Sequence, residues 1–357
     1  MNPSPLEREA MREAVSAARR THPHPNPRVG AVVIDAGGRR MPVAVHTSAG
    51  EPHAEALALD AAGESARGGT VVVTLEPCDH QGRTPACTHR LIEAGVDRVI
   101  IGAVDPDPRV SGRGIDRLRR SGLDVIVGVE SDSVEALDPA YFHHRRTGLP
   151  LVTIKAALTL DGQIAAADGG SQWITGPEAR EDAHLLRADH DAVMVGAGTV
   201  REDDPRLDVR LTGFDGRQPI PVVVAGQRPL PAHAQIWGRS PVVLAAGPVV
   251  APSGDIVQAG SGGRVDLRAG VLRLTERGIL SVLLEGGSGV AASMWEAGLV
   301  SRGVWYLASK VAGGIGRGAF DRSFQSLADA TAVTITDVRR VGEDLRVEWA
   351  VVQAESA

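Results

Sequence analysis

Four residues of the types that bind and use a metal ion lie within one short stretch of the sequence. His53 and Glu55 belong to a His-Ala-Glu triplet, and the only two cysteines of the chain, Cys78 and Cys87, follow downstream. Zinc binds imidazole nitrogen and thiolate sulfur tetrahedrally, and a catalytic zinc has three protein ligands with the fourth position left for water. The residue types and their spacing therefore predict one Zn²⁺ ion per chain, held by His53, Cys78 and Cys87.

Glu55 is predicted to be the catalytic residue of this site, close to the metal but not bound to it. Zinc lowers the pKa of a water molecule to ~7, and a free carboxylate can carry protons from that water to a leaving amine. His-x-Glu followed by Pro-Cys, here Pro77-Cys78, is the signature of zinc-dependent nucleobase deaminases. Cys78 also follows the apolar run TVVVTL, so that its thiolate could meet the amino end of a helical turn, which lowers the pKa of a cysteine.

Two other interpretations fit the same residues. The first is a buried histidine with two unrelated thiols, which the placement of both cysteines in one stretch disfavours. The second is a zinc-stabilised module that binds a nucleotide without turnover. A structural zinc normally has four protein ligands and needs no carboxylate beside it. A three-ligand site next to Glu55 therefore favours an enzyme.

The loop between the two cysteines carries a resemblance to a known family. Common cytidine and adenosine deaminases have two residues between these cysteines, whereas this chain has the longer insert DHQGRTPA. The stretch from Pro77 to Cys87 resembles the Pro-Cys-x-His-x-Gly-Arg/Lys-Thr-Pro-x-Cys loop of bifunctional riboflavin-biosynthesis deaminase/reductases, and PNPRVG at 25–30 matches their Pro-Asn-Pro-x-Val-Gly turn. The residues implied to bind the deaminase substrate, a phosphorylated ribosylaminopyrimidine, are Asn26, His46, His80 and Arg83.

The second half of the chain is similar to the reductase half of the same family. The similarity covers Thr153 to Arg210 nearly throughout and implies a domain of the dihydrofolate-reductase type that uses NADPH. The residues implied to line its ribose-phosphate substrate are Lys155, Ser171, Thr175, Arg187, Leu207, Arg210 and Glu285. Those implied to contact NADPH are Ala157, Trp173, Thr199, Asp203, Gly287, Ser288, Gly289, Val290, Ala291, Ala292 and Ser293.

Two reactions follow from the resemblance. The first is zinc-dependent hydrolytic deamination of 2,5-diamino-6-ribosylamino-4(3H)-pyrimidinone 5′-phosphate. The second is NADPH-dependent reduction of the ribosyl chain, which gives 5-amino-6-(5-phosphoribitylamino)uracil. Towards the C-terminus Ser301 and Arg302 replace an acidic pair of the family, and Lys310 is unexpected at the end of a strand. These departures motivate an alternative, an active deaminase with a degenerate, weak or inactive reductase domain.

The elements that must position these residues alternate between helix and strand. A helical pattern, EREAMREAVSAARR, precedes the dense β-branched runs RVGAVVID and TVVVTL, which are typical of buried strands. The segment DPAYFHHRRTGLP suggests a domain boundary, and a second set of strands, from LVTIKAAL to VWYLASKVAGG, follows it. We predict an α/β protein with a cytidine-deaminase-like α/β/α sandwich at residues 1–147 and a dihydrofolate-reductase-like α/β domain at residues 148–357.

The amino-acid composition limits the classes of molecule that this protein is expected to bind. A net charge of −6 over 357 residues argues against a nucleic-acid or membrane surface, and no run reaches the ~18 apolar residues of a membrane span. The first residues lack the apolar core of a secretory signal, and two cysteines make no disulfide framework. We therefore expect a cytoplasmic enzyme that acts on small pyrimidine nucleotides and, by analogy with the fold, forms a homodimer or homotetramer.

Overall fold

The computed structural model describes residues 2–79, 86–314, 316–323 and 326–352. The chain divides into two compact units, Met1–Gly148 and Leu149–Ala357, which we call the N-terminal and C-terminal units. The segment expected at the domain boundary forms a helix of the N-terminal unit, and the division falls after the glycine that ends that helix.

The N-terminal unit is built on a five-stranded sheet. Its strands are β1 (Gly30–Ile34), β2 (Ala44–Val45), β3 (Thr70–Leu75), β4 (Arg98–Ala103) and β5 (Asp124–Val127). They lie in the order β2-β1-β3-β4-β5, with β1 antiparallel to both neighbours and β3, β4 and β5 parallel. The carboxyl ends of the three parallel strands therefore share one edge of the sheet, and Cys78 follows β3 at this edge.

Helices connect and cover these strands. They are α1 (Pro5–Ala18), α2 (Ala54–Ala62), α3 (Cys87–Glu93), α4 (Arg113–Arg120), α5 (Ser131–Glu135) and α6 (Pro139–Thr147), with a 3-10 turn at Gly63–Ala66. A capping box between Ser4 and Glu7 starts α1, and its predicted apolar face is buried against the sheet. The core between these layers consists mainly of Val, Ile, Leu and Ala side chains.

The C-terminal unit contains a nine-stranded sheet and two small two-stranded ribbons. Its strands are β6 (Leu151–Leu158), β7 (Gln163–Ala165), β8 (Ala192–Gly196), β9 (Ile220–Val224), β10 (Val242–Ala245), β11 (Asp255–Gln258), β12 (Gly260–Ser261), β13 (Arg264–Val265), β14 (Ser281–Glu285), β15 (Arg302–Leu307), β16 (Arg317–Gly318), β17 (Val333–Val341) and β18 (Asp344–Val351). The large sheet has the order β11-β10-β9-β8-β14-β6-β15-β18-β17. All pairs are parallel except β15–β18 and β18–β17.

The large sheet separates two hydrophobic clusters, and helices of this unit contribute side chains to both. These helices are α7 (Pro177–Ala188), α8 (Ala197–Asp203), α9 (Leu267–Thr275) and α10 (Ser288–Glu296), with 3-10 turns at Gln235–Arg239 and Leu327–Asp329. Along β8, Ala192 and Met194 belong to one cluster, whereas Val193 and Val195 belong to the other. Because alternate residues of a strand point to opposite faces, the sheet is buried on both sides here.

Several strand predictions are confirmed and one is half wrong. The runs TVVVTL and LVTIKAAL form β3 and β6. The run DAVMVGAGTV was expected to be one strand, but β8 ends at Gly196 and its second half begins α8. The small residues after Gly196 let the chain turn from the sheet into a helix.

No helix in the described part of the chain combines the length and apolar character needed to cross a membrane.

Candidate active sites

The three predicted zinc ligands come from three different elements of the N-terminal unit. His53 is the N-cap residue of α2, Cys78 lies just after β3, and Cys87 is the first residue of α3. The fold therefore brings together side chains that are 25 and 34 residues apart in the sequence.

The distances among these ligand atoms fit a zinc ion. His53 Nδ1 lies 3.2 Å from Cys87 Sγ and 3.7 Å from Cys78 Sγ, and all three ligand atoms lie within 4.8 Å of one another. Tetrahedral zinc with bonds of about 2.0 Å to nitrogen and 2.3 Å to sulfur separates such atoms by about 3.5 to 3.8 Å. The donor set is thus the nitrogen and sulfur set that zinc prefers.

Glu55 is close to this cluster and is left with an unused oxygen. Its side chain is only 3 % exposed, and Oε2 is buried without a hydrogen-bond partner among the described residues. Burial raises the pKa of this carboxyl, although the charge of His53 opposes the shift. An orphaned buried oxygen is costly, so the site fits an additional polar group between Glu55 and the ligands.

The pKa values of the two thiols are shifted in opposite directions. A hydrogen bond from the Cys87 thiol lowers the pKa of Cys78 to about 4 against the effect of burial, with further contributions from a hydrogen bond with His53 and from the backbone N–H of Cys87 at the start of α3. The hydrogen bond with Cys78 and burial raise the pKa of the Cys87 thiol. Cys78 therefore provides a ready thiolate, in agreement with its predicted position at the amino end of a helical turn.

The half-buried Asn26 and the buried His46 form a hydrogen-bonded pair near the cluster. Asn26 Nδ2 donates to His46 Nε2 at 3.0 Å, and His46 Nδ1 lies 3.1 Å from the carbonyl oxygen of Pro52. The His46 ring packs edge-on against the His53 ring, with a centroid separation of 5.3 Å. Burial lowers the pKa of His46, and both ring nitrogens are engaged within the protein. The other two predicted substrate residues, His80 and Arg83, lie outside the described residues.

A second candidate site is a cavity of about 440 Å³ in the C-terminal unit. The predicted reductase residues in its lining are Lys155, Ala157, Ser171, Trp173, Thr175, Arg187, Thr199, Asp203, Leu207, Glu285, Gly287, Ser288, Gly289 and Ala291. Strands β6, β8 and β14 supply its floor, and the turn between β14 and α10 supplies one wall. The fold thus brings predicted substrate and cofactor residues to one cavity.

Four of the predicted reductase residues are not in the lining of this cavity. Arg210 forms an ion pair with Asp208 at 3.0 Å, Ala292 is buried in α10, and Ser293 Oγ donates to the Gly289 carbonyl. Val290 packs near Gly196. The roles assigned to these four residues stay predictions.

A buried charge cluster forms the base of the cavity. Arg187 donates from Nε and Nη2 to the two oxygens of Glu285 at 2.6 and 3.0 Å, and Lys155 Nζ lies 3.8 Å from Glu285 Oε2. Burial alone would raise the pKa of Glu285, but the charges of Arg187 and Lys155 lower it to about 2. The carboxylate therefore stays ionised and holds two cations in fixed positions beside the cavity.

Other cavity residues carry no local signal in the sequence. Arg180 lies over the ring of Trp173 at 4.6 Å and donates to the Thr175 carbonyl at 2.9 Å. Lys310, which is unexpected at the end of a strand, donates to the Trp173 carbonyl at 2.8 Å. Arg317 also lines the cavity. The contacts of Arg180 and Lys310 hold the segment around Trp173, whose side chain is exposed.

Comparison with known families agrees with this arrangement. Residues 5–103 match the cytidine and deoxycytidylate deaminase zinc-binding region, and residues 150–347 match the RibD C-terminal domain. The riboflavin biosynthesis protein RibD of Escherichia coli is 38% identical over 342 residues, which cover 90% of this chain and 92% of that protein. The RibD protein of Aquifex aeolicus is 36% identical over 349 residues, which cover 95% and 97% of the two chains.

Solved structures give the same result over the whole chain. Acinetobacter baumannii RibD superposes with a TM-score of 0.88 at 32% identity and covers 98% of this chain and 99% of that one. A Thermotoga maritima enzyme described as a diaminohydroxyphosphoribosylaminopyrimidine deaminase/5-amino-6-(5-phosphoribosylamino)uracil reductase has a TM-score of 0.87 at 32% identity and covers 97% and 99%.

The predicted fold class is thereby confirmed. The chain has a zinc-binding deaminase domain with a His-Cys-Cys cluster and a reductase domain of the NADPH-using type. It belongs to the RibD family of riboflavin biosynthesis proteins.

Proposed function

We propose that this chain catalyses both reactions in the name of the Thermotoga maritima enzyme, deamination of the diaminopyrimidine nucleotide and then reduction of its ribosyl chain. The observation that carries the proposal is the buried Glu55, whose Oε2 has no partner among the described residues and which lies beside a three-ligand His-Cys-Cys cluster. Such an arrangement can move protons at a metal site and serves no structural purpose.

In the first reaction His53, Cys78 and Cys87 would hold the zinc ion. Zinc bound in this way makes water a nucleophile at neutral pH. Glu55 takes a proton from the attacking water at Oε2 and gives it to the exocyclic nitrogen, so that the C–N bond breaks and ammonia leaves. Burial suits this role, because it raises the pKa of the Glu55 carboxyl towards neutral pH, and a group with such a pKa can both accept and release a proton.

Substrate recognition in the first reaction is assigned to Asn26, His46, His80 and Arg83. The hydrogen bond to His46 leaves the Asn26 carbonyl oxygen available to accept from a ligand. His46 keeps the amide of Asn26 in this orientation, and its tautomer is set by the Pro52 carbonyl.

In the second reaction the C-terminal cavity would hold NADPH and the deaminated nucleotide together. NADPH would supply the hydride for the ribosyl C1, while the C1–O bond of the ring breaks and the ring oxygen takes up a proton from solvent, which gives the ribityl chain. Lys155 and Arg187 present positive charge to the phosphorylated sugar, and Glu285 keeps them in place. The glycine-rich turn before α10 offers free backbone N–H groups to a phosphate.

Substitution of the proposed proton carrier tests the first activity. The Glu55→Gln variant keeps the shape and burial of the side chain but cannot carry a proton. We expect ammonia release to fall by at least ~100-fold, within the usual contribution of general acid–base catalysis. Zinc content should stay near one ion per chain. Undiminished ammonia release by Glu55→Gln would refute the role of this residue.

The alternative, a chain with a failed reductase, is disfavoured by the intact Lys155–Glu285–Arg187 cluster and by the cavity above it. NADPH oxidation measured with supplied deaminated nucleotide separates the two. A rate indistinguishable from that without substrate would support the alternative.

An exposed apolar face on the edge of the large sheet bears on how the enzyme assembles. The edge strand β17 exposes Val333, Ile335 and Val338, which are 41%, 62% and 55% exposed. Their partners on β18 are Val351, Trp349 and Val347, so these side chains extend an apolar sheet face beyond the core. We propose that a second copy covers this face in a homodimer or homotetramer, which sedimentation of the purified chain would reveal.

The location of the enzyme is also part of the proposal. Reduced thiol ligands and the use of NADPH fit a cytoplasmic enzyme.

A further inference from the structure

Glu76 is a buried carboxylate near the zinc ligands that neither reaction uses. It lies between the end of β3 and Pro77, two residues before Cys78, and is 4% exposed. Its own backbone N–H donates to the Ala103 carbonyl at 3.0 Å, which extends the β3–β4 pairing by one residue. A buried carboxylate is costly unless hydrogen bonds satisfy it, so its partners indicate its purpose.

Those partners are four backbone N–H groups in the segment that runs from the loop after β4 to the first turn of α4. Glu76 Oε2 accepts from Asp105 at 3.2 Å and from Gly112 at 3.0 Å. Glu76 Oε1 accepts from Gly114 at 3.0 Å and from Ile115 at 3.3 Å. One side chain therefore ties the end of β3 both to the loop after β4 and to the unsatisfied first turn of α4.

The neighbouring Pro77 is held by close backbone contact with the same turn. A Cβ atom added at Gly114 would lie 2.0 Å from the Pro77 carbonyl oxygen, so no side chain fits there. On the other side, the Cys78 carbonyl accepts from Thr88 N at 3.2 Å. The backbone of Cys78 is thus fixed between α4 and α3.

We propose that Glu76 is a positioning residue of the deaminase site, which sets the place of Cys78 by anchoring its backbone to α4. This inference rests on the proposed zinc-dependent function. Metal–ligand distances tolerate only ~0.2 Å, so a ligand on an unanchored loop would bind more weakly. Loss of groups that orient metal ligands typically costs 10–100-fold in metal affinity.

The test is the zinc dissociation constant of Glu76→Gln, measured by competition with a chelator. In this variant an NH₂ group, which cannot accept a hydrogen bond, replaces one Glu76 oxygen that accepts two. We expect the constant to rise by ~10-fold or more. Gly114→Ala should weaken zinc binding similarly by displacing Pro77, although alanine in general favours a helix over glycine. NADPH oxidation with supplied deaminated nucleotide should be unchanged in both variants.

Glu7→Gln provides the matched control. Glu7 is a carboxyl of the same unit, 6% exposed, whose hydrogen-bond and ion-pair partners among the described residues are Ser4, at the start of α1, and Arg98, at 2.8 Å. We expect this variant to lose stability and to bind zinc as the wild type does. Wild-type zinc affinity in Glu76→Gln, or equal weakening in Glu7→Gln, would overturn the positioning role. A wild-type chain that binds no zinc would instead refute the proposed deaminase itself.

Discussion

Two buried glutamates show how the surroundings of one residue type decide its task. Glu55 Oε2 has no hydrogen-bond partner among the described residues, and burial raises the pKa of this carboxyl. Glu285 is equally buried, but Arg187 and Lys155 lower its pKa to about 2. Glu55 is therefore suited to exchange a proton, whereas Glu285 is suited to stay charged and anchor cations.

Neutralising Glu285 should damage the reductase alone. In Glu285→Gln the Arg187 guanidinium loses the charge that fixes its orientation, and removal of one member of a buried ion pair costs 2–5 kcal/mol. We expect kcat/KM for NADPH oxidation to fall by about 30-fold or more. Ammonia release should not change. The control is Asp182→Asn, which breaks the ion pair between Asp182 and Arg346 elsewhere in the C-terminal unit. An equal loss of NADPH oxidation in this variant would argue for general destabilisation.

His190 should make the stability of the C-terminal unit depend on pH. It is fully buried as the neutral form, with Nδ1 2.7 Å from the Leu186 carbonyl and Nε2 2.9 Å from Thr153 Oγ1. Burial, followed by the charge of Arg302, lowers its pKa from 6.5 to about 4. Between these values the unfolded chain binds a proton that the folded chain does not, so stability falls as pH falls through this window.

The size of this effect can be measured by comparison with His190→Gln, which cannot titrate. Between pH 7 and pH 5 the wild type should lose about 2 kcal/mol of unfolding free energy more than the variant. Urea unfolding at both pH values gives this difference. Parallel pH dependence of the two proteins would show that His190 is not neutral in the fold.

The spacing of chemically distinctive residues was enough to predict the metal cluster. His53, Cys78 and Cys87 could be found because few residue types bind zinc and their order along the chain is characteristic. Arg180 and Lys310 could not, because their contacts with the Trp173 segment join residues far apart in the sequence. An arginine or lysine in isolation looks like any surface charge.

At the scale of elements, burial on both faces made the central strands predictable. The runs TVVVTL and LVTIKAAL contain so many β-branched residues that few other structures suit them. The β17–β18 hairpin was not predicted, because β17 is exposed along nearly its whole length and so lacks the dense buried apolar run of the central strands. Its place in the sheet depends on pairing with β15, a contact that is not local.

Packing of the hairpin onto the sheet leads to a prediction at Gly303 in β15. A Cβ atom there would lie 2.1 Å from the Trp349 ring, which also packs against Trp295 and Trp305. We expect Gly303→Ala to reduce the unfolding free energy of this unit by about 1–3 kcal/mol through overpacking. Gly238→Ala, where nothing lies within 4 Å of the added atom, is the control in urea unfolding. Equal stability of the two variants would contradict the close contact.

At the scale of the whole molecule, the described residues proposed for each reaction lie in a single compact unit. The zinc ligands and Glu55 lie in the N-terminal unit, and every residue that lines the reductase cavity lies in the C-terminal unit. The two activities should therefore be separable by a treatment that affects only one site. Zinc removal is such a treatment, because among the described residues the metal cluster belongs to the N-terminal unit alone.

The most direct test follows both activities in one preparation while zinc is removed with a chelator and then restored. We expect ammonia release from the diaminopyrimidine nucleotide to disappear with the zinc and to return with about one ion per chain. NADPH oxidation with supplied deaminated nucleotide should continue throughout. Ammonia release that persists in zinc-free protein would contradict the central claim that this His-Cys-Cys site, with Glu55 beside it, performs the deamination.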